Sequence, residues 1–294
     1  MPVQIGASKV LLIDTPGFDD TTRTDSEILS EIARILSAQY QLGVELKGVV
    51  YIHRITDIRY TRTAVKTFEI FRKICGDKAL SNVLLATSRW SEVDQDTGSG
   101  RERQLKDRFW AYMLAKGSKM SRFHGDRDSA IALVSQLLCE ETIVLDLQRE
   151  LVDQGKKLDE TIAGTYVNDN LEKLKEQYKA ELEAVERLKE ELQANDRRMK
   201  RKIQQDWEEE QARLKHIEQQ QVSLKRPVGV EVGQTIDSAR RKNGGLSKVL
   251  PFVPAAVQLL ALFAGIPPGV TDVFTSWFSG MGFDLSMITD LIGG

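Results

Sequence analysis

The first residues able to do chemistry lie in Leu11-Leu12-Ile13-Asp14-Thr15-Pro16-Gly17-Phe18, where an apolar run stops at a carboxylate and Pro16-Gly17 bends the chain. The run predicts a buried strand. A parallel strand delivers side chains to a ligand crevice at its carboxyl end, which is where Asp14 would sit. A carboxylate there can hold the water shell of a Mg²⁺ ion. Gly17, without a side chain, lets its N–H approach a phosphate oxygen. Asp14-Thr15-Pro16-Gly17 therefore reads as a cofactor-binding turn with Asp14 as the metal ligand. D-x-x-G also arises by chance in turn-rich proteins. The apolar residues ahead of it and the acidic stretch Phe18-Asp19-Asp20-Thr21 behind it set this copy apart.

Positioning such a turn requires a sheet. Apolar runs at residues 9–14, 48–55, 82–87 and, more weakly, 120–124 predict four strands. Amphipathic patterns separate them: residues 26–40 place Ile28, Leu29, Ile32, Ile35 and Leu36 on one face, and residues 65–75 and 101–114 behave likewise. Continuous apolar strands alternating with helices indicate the α/β class, a parallel sheet covered on both faces.

The 294 residues hold one ordinary domain plus something extended, or two small domains. Forty-one basic and 43 acidic residues nearly cancel, so charge gives no sign of a nucleic-acid partner. Cys75 and Cys139 lie far apart and read as reduced thiols of a cytoplasmic protein. His53, His124 and His216 form no Cys/His cluster, which argues against a zinc site, and the opening residues show no secretory leader. Composition divides the chain into residues 1–145, a Glu/Lys/Gln/Arg/Leu-rich arm over 146–225, a linker over 226–248 with Pro227 and several glycines, and an apolar segment over 249–294.

Beyond the first turn, further stretches carry a family likeness: Asp25-Ser26-Glu27-Ile28-Leu29, the run from Tyr51 to Asp57, and Asn82 to Trp90. Together with Asp14 to Thr21 they resemble the later two-thirds of a P-loop GTPase domain. The likeness is to the septin-like, GIMAP-type and chloroplast-import-receptor branch, and especially to fungal G-domain proteins of that kind. It covers residues 10 to about 138, under half of the chain.

The resemblance implies a doubly wound P-loop fold that binds GTP and Mg²⁺, with Asp14 and Gly17 as the switch motif sensing metal and γ-phosphate. Phe18 stands where Ras-like enzymes place a water-orienting glutamine, a task phenylalanine cannot perform, so hydrolysis would be slow or organised elsewhere. Arg54 and Arg59 are the nearest candidates for a charge-stabilising arginine, beside the reading that both are simply exposed. The base-recognition element [NT]-K-x-D corresponds to Thr87-Ser88-Arg89-Trp90, which keeps the threonine but lacks the lysine and the aspartate. Trp90 can stack on a base yet cannot accept guanine's N–H donors, a role left to Glu92 or Asp94. Ser129-Ala130 resembles the S-A element whose backbone contacts guanine, and reads equally well as the first turn of a helix.

No G-x-x-x-x-G-K-[ST] occurs; the only Gly-Lys pair, Gly155-Lys156, lies in a helical stretch with no strand before it. In the family that loop precedes D-x-x-G by a strand, a helix and a switch segment, and only 13 residues precede Asp14 here. The expectation is a G domain lacking its phosphate loop and its central strand, through an incomplete gene model or as a nucleotide-free remnant. Nucleotide binding should be weak or lost, and the competing reading is a non-enzymatic coiled-coil scaffold.

In the arm a seven-residue row runs Leu171, Tyr178, Val185, Leu192, Met199, with Leu174 and Leu188 between and Glu181 and Asn195 interrupting. The register then slips to Ile203, Ile217 and to Trp207, Leu214, a stutter. Self-association through the arm is one reading, and a hairpin folded back on the domain the other. Residues 249–271 are uncharged and follow Arg240, Arg241, Lys242 and Lys248, which suits membrane attachment. Pro251, Pro254, Pro267 and Pro268 interrupt the segment, and packing on protein is the alternative.

Overall fold

A computed structural model describes residues 2–18, 22–191 and 197–242 of the chain. The first two strands, β1 (Pro2–Ile5) and β2 (Ser8–Leu11), pair antiparallel across a tight turn at Gly6, whose φ of 57° suits a residue without a Cβ. Helix α1 (Asp25–Gln41) begins at a capping box: Glu27 N–H donates to Thr24 Oγ1 at 3.3 Å, and Thr24 N–H to the Glu27 carboxylate at 2.8 Å.

Strand β3 (Val49–Arg54), helix α2 (Arg62–Cys75) and strand β4 (Val83–Ser88) form one strand–helix–strand unit, with the 3₁₀ turn Asp77–Asn82 between α2 and β4. Helix α3 (Gln95–Gln104) runs through a π turn (Leu105–Phe109) into α4 (Ala111–Ala115), and β5 (Lys119–Arg122) and α5 (Arg127–Leu138) follow. The strands order β3-β4-β5, all parallel, with Val49 opposite Val83 and Leu84 opposite Lys119. The fold is mixed α/β, mostly helical around this small sheet. Central β4 is buried on both faces, as its unbroken apolar run requires: Val83 and Leu85 meet Phe68 and Trp110, while Leu84 and Ala86 meet Leu133 and Leu137.

Helix α6 (Asp146–Gln148) continues as a π turn (Arg149–Asp153), and α7 (Ile162–Glu191), α8 (Arg197–Leu224) and α9 (Val228–Lys242) complete the described chain. α7 and α8 lie antiparallel, with Trp207 at Glu186 and Glu218 at Lys175, so the hairpin is the arrangement formed. Of the repeat, Leu171, Ile203 and Ile217 are buried, Leu171 and Ile217 in one cluster with Ile28 and Leu29, while Tyr178, Val185, Trp207 and Leu214 are half-buried.

Three expectations change. Residues 9–14 are not a buried parallel strand. β2 stops at Leu11, belongs to the hairpin and not to the three-stranded sheet, and Leu12 and Ile13 are each 39% exposed. Pairing with residues a tight turn away costs little loop entropy, whereas an apolar strand in a parallel sheet needs neighbours brought from afar. Next, the boundary at 145 falls inside one core, because Leu145, Leu147, Leu151, Leu158, Ala163 and Val167 pack in the same cluster as Ile28 and Leu29. Finally, most of the stretch read as a linker is helix α9, with Val228, Val232 and Ile236 buried against that cluster. Pro227 precedes the helix and its carbonyl accepts from Glu231 N–H at 3.0 Å. Gly229 lets the helix approach closely, since a Cβ there would lie 2.2 Å from the Leu151 carbonyl oxygen.

The bond from Ile55 N–H to Ser88 O (2.9 Å) fixes which residues of β3 face β4. Val50, Ile52 and Arg54 therefore turn their backbone groups outward, where no strand among the described residues pairs with them. Among the described residues no helix is long and apolar enough to cross a membrane. The apolar segment at 249–294, and with it the suggested membrane attachment, lies outside them.

If α9 belongs to the core, Ile236→Ala destabilises the protein by about 2–4 kcal/mol, the range for a buried aliphatic truncation. Val230→Ala, at a position 45% exposed on the same helix, changes stability by less than about 0.5 kcal/mol. Urea unfolding followed by circular dichroism measures both, and equal small effects would return α9 to a linker.

Candidate functional site

The carboxyl ends of parallel strands converge on one crevice, and here those of β4 and β5 do so directly. Phe123 N–H donates to Thr87 O at 2.7 Å, bringing the Thr87-Ser88-Arg89-Trp90 turn against the chain that leads into α5. Arg89 adopts φ 63° and ψ 37°, and it is the only non-glycine residue in left-handed backbone among the described residues. That conformation is uncommon without glycine and folds Trp90 back beneath the strand end. The indole Nε1–H donates to Thr87 Oγ1 at 3.0 Å and to Thr87 O at 3.2 Å.

Trp90 is only 8% exposed. The Arg122 guanidinium covers its ring at 3.9 Å from the centroid, a cation–π contact. Arg122 is held by Glu102 of α3, Nε lying 2.9 Å from Oε1. Gly98 of α3 also lies against the ring, where a Cβ would approach Cζ3 to 2.8 Å. Arg101 of the same helix donates to the carbonyls of Ile55 and Thr56 at 2.9 and 3.0 Å, tying α3 to the end of β3.

The first turn of α5 is similarly engaged. Ser129 N–H donates to Asp126 Oδ1 at 2.7 Å and Ala130 N–H to Asp126 O at 3.1 Å, while Ser129 Oγ accepts from His124 N–H. The backbone bond from Ser129 holds the Asp126 carboxyl below the usual carboxylate range. Asp94 is held low in the same way by Thr97 N–H at the start of α3, and Glu92 pairs with Arg89. Both acids are thus engaged by groups of the protein itself.

Of the residues singled out from sequence, Thr87, Ser88, Trp90, Ser129 and Ala130 therefore gather at one sheet end. Asp14, Thr15 and Gly17 do not join that gathering through any strand; all three are exposed in the segment after the β1–β2 hairpin. Leu11 and Phe18 beside them pack on the helical cluster around α1. Among the described residues, no group of three or more His, Cys, Asp or Glu side chains could hold a metal. Arg54 is exposed and lies 3.5 Å from Asp57. Cys75 is buried, which pushes its thiol pKa strongly up, and Cys139 is exposed. Arg122, Glu102 and Gly98 carried no signal in the sequence, since charged partners twenty residues apart meet only once the sheet orders them. Neither a protein-family model nor a curated protein matches the chain.

Arg122→Ala uncovers Trp90 and raises acrylamide quenching of the tryptophan emission; adding Trp90→Phe to it cancels the rise. An unchanged quenching constant would mean that the guanidinium does not shield the ring. The Asp126 cap has a definite pH sense. Because folding depresses its pKa, the stability it lends is complete above the unfolded-state value and disappears as pH falls through the folded one. Asp126→Asn keeps a capping oxygen without the charge, so the acid limb of its stability–pH curve is flatter than that of the parent.

Proposed function

We propose that the chain carries the base-side half of a GTPase-like nucleotide domain of the septin/GIMAP kind, joined to a helical hairpin that serves assembly. The reading rests chiefly on the Phe123–Thr87 bond of 2.7 Å. That bond supports the reading because it holds Thr87, at the carboxyl end of a parallel strand, beside the chain that leads to Ser129 and Ala130. The ligand would be a guanine nucleotide; Asp14, exposed after the β1–β2 hairpin and joined to the sheet end by no strand, does not fit a Mg²⁺ ion shared with a base held there.

Affinity should nevertheless be weak. The sequence contains no glycine-rich phosphate loop, and such a loop's amides and lysine supply most of the grip on a triphosphate. The base side is self-satisfied too, because Thr87 Oγ1, the Trp90 indole and the Ser129 N–H are all bonded within the protein. A base would have to displace those bonds. With Phe18 where a water-orienting side chain is needed, hydrolysis is expected to be negligible.

The same self-satisfied site favours a second reading, a scaffold whose sheet end is structural. Calorimetric titration of the chain with GTP and Mg²⁺ is expected to give no binding tighter than the high-micromolar range, and a sub-micromolar dissociation constant would overturn this. Sedimentation with and without GTP separates the two readings: a scaffold assembles identically in both, whereas a residual nucleotide module shifts its assembly when GTP is present.

A further inference from the structure

Three of the polar contacts between α7 and α8 share one centre. Trp207 Nε1 donates to Glu186 Oε1 at 3.1 Å, Lys175 Nζ lies 3.4 Å from Glu218 Oε1, and Gln221 Nε2 donates to Glu172 Oε1 at 2.6 Å. Each pair straddles the same point, between residues 196 and 197. An antiparallel pairing with a single centre is self-complementary. A long helix turned through a two-fold axis at that centre would regenerate these three contacts with a second copy.

Around that centre the sequence supplies nothing that forces a turn. Neither glycine nor proline occurs between Gly164 and Pro227. The residues that join Glu191 to Arg197 are Leu-Gln-Ala-Asn-Asp, and the first three are good helix formers. The row Leu171, Tyr178, Val185 continues in phase through Leu192 to Met199, beyond the junction, although Asn195 interrupts the row beside it and the register slips after Met199. A hairpin has no use for that continuity, whereas an uninterrupted helix does.

We propose that two copies of this chain exchange residues 197–242, α7 running on into α8 as one helix and each copy's α8 and α9 packing on the α1 of the other. The core defines the exchanged piece, since Ile217 and Leu224 of α8 and Val232 and Ile236 of α9 bury in one cluster with Ile28 and Leu29 of α1. Leu158 N–H, which donates to Arg226 O at 3.2 Å, would do so across chains. Contacts in the two forms are the same except at the junction. The balance between them is therefore set by the helix preference of the junction and by protein concentration. A helix over residues 162–224 spans roughly 95 Å, so the exchanged dimer is a rod with a sheet at each end. The exchange is independent of whatever the sheet end binds.

Sedimentation velocity on the full chain at rising concentration is expected to resolve a monomer and an elongated dimer that interconvert slowly. Lys175→Cys with Glu218→Cys in a Cys139→Ser background, joined by a short bismaleimide, yields chain-to-chain links in the dimer fraction and internal links in the monomer fraction. Cys75 is buried and stays out of the reaction. Asn195→Pro is compatible with a turn but not with a continuous helix, and both chains of a dimer suffer it, so the dimer weakens on the order of 10⁴-fold. Asn195→Ala with Asp196→Ala shifts the population toward the dimer, which decides the matter even if the proline variant does not fold. A chain that stays monomeric at all concentrations, a dimer linked only within chains, or a dimer indifferent to Asn195→Pro would each overturn the exchange.

Discussion

Helix α1 must be buried on nearly every side, and much of the remaining architecture follows from that need. Ile28, Leu29, Ala33 and Ala38 are fully buried, and Ile32 and Ile35 nearly so, on one 17-residue helix. A surface helix of a two-layer domain buries one stripe. α1 buries more because helices from the far end of the sequence close over it: α7 and α8 at the base of the hairpin, and α9 along its length. At about 1.5–3 kcal/mol per buried aliphatic side chain, exposing this cluster would remove more than the net stability of a typical domain. The early and late parts of the chain consequently fold as one body.

That constraint explains two polar arrangements in the interior. Glu150, only 4% exposed, accepts from Ile162 N–H at 3.1 Å and pairs with Lys156 Nζ at 2.9 Å. It satisfies an otherwise orphaned donor where α7 enters the core. Gln148, fully buried, donates to Leu36 O at 3.1 Å and accepts from Leu145 N–H, and it also bonds Gln39. A buried amide must find partners for its donors and its acceptor, and these fix the π turn against α1. The polar groups at the sheet end follow the same rule, since donors and acceptors there are matched within the protein. A ligand entering that crevice would have to offer bonds at least as good as those it breaks.

What the sequence disclosed depended on how local the physics was. The strands at 48–55 and 82–87 were legible because an unbroken apolar run leaves a short, strong pattern. The grouping of Thr87, Ser88, Trp90, Ser129 and Ala130 was legible because parallel strands send their following loops to one end. The environment of those residues was not, since Glu102, Arg122 and Gly98 act only through the tertiary arrangement. The stretch around Asp14 misled for a related reason. An apolar run specifies that a strand wants burial but not which strand it pairs with, and the nearest partner, Pro2–Ile5, won. Pro227, Gly229 and Gly233 read as linker residues by composition, whereas in space they start a helix and let it approach α1 and the π turn closely.

The heptad pattern raises the same difficulty in another form. Periodicity reports that a helix has an apolar seam and says nothing about whether the facing seam belongs to the same chain. For α7 and α8 the facing seam is intramolecular, and its polar edges, Lys175 to Glu218 and Gln221 to Glu172, fix an antiparallel register. Loop-closure entropy favours the near partner whenever the junction bends easily, and a junction of helix formers narrows that advantage. With no glycine or proline over more than sixty residues, helix propensity and loop closure pull the junction in opposite directions. The pairing is therefore well specified by its polar edges, and under the proposed exchange the residues around Asn195 decide whether it closes within one chain or between two.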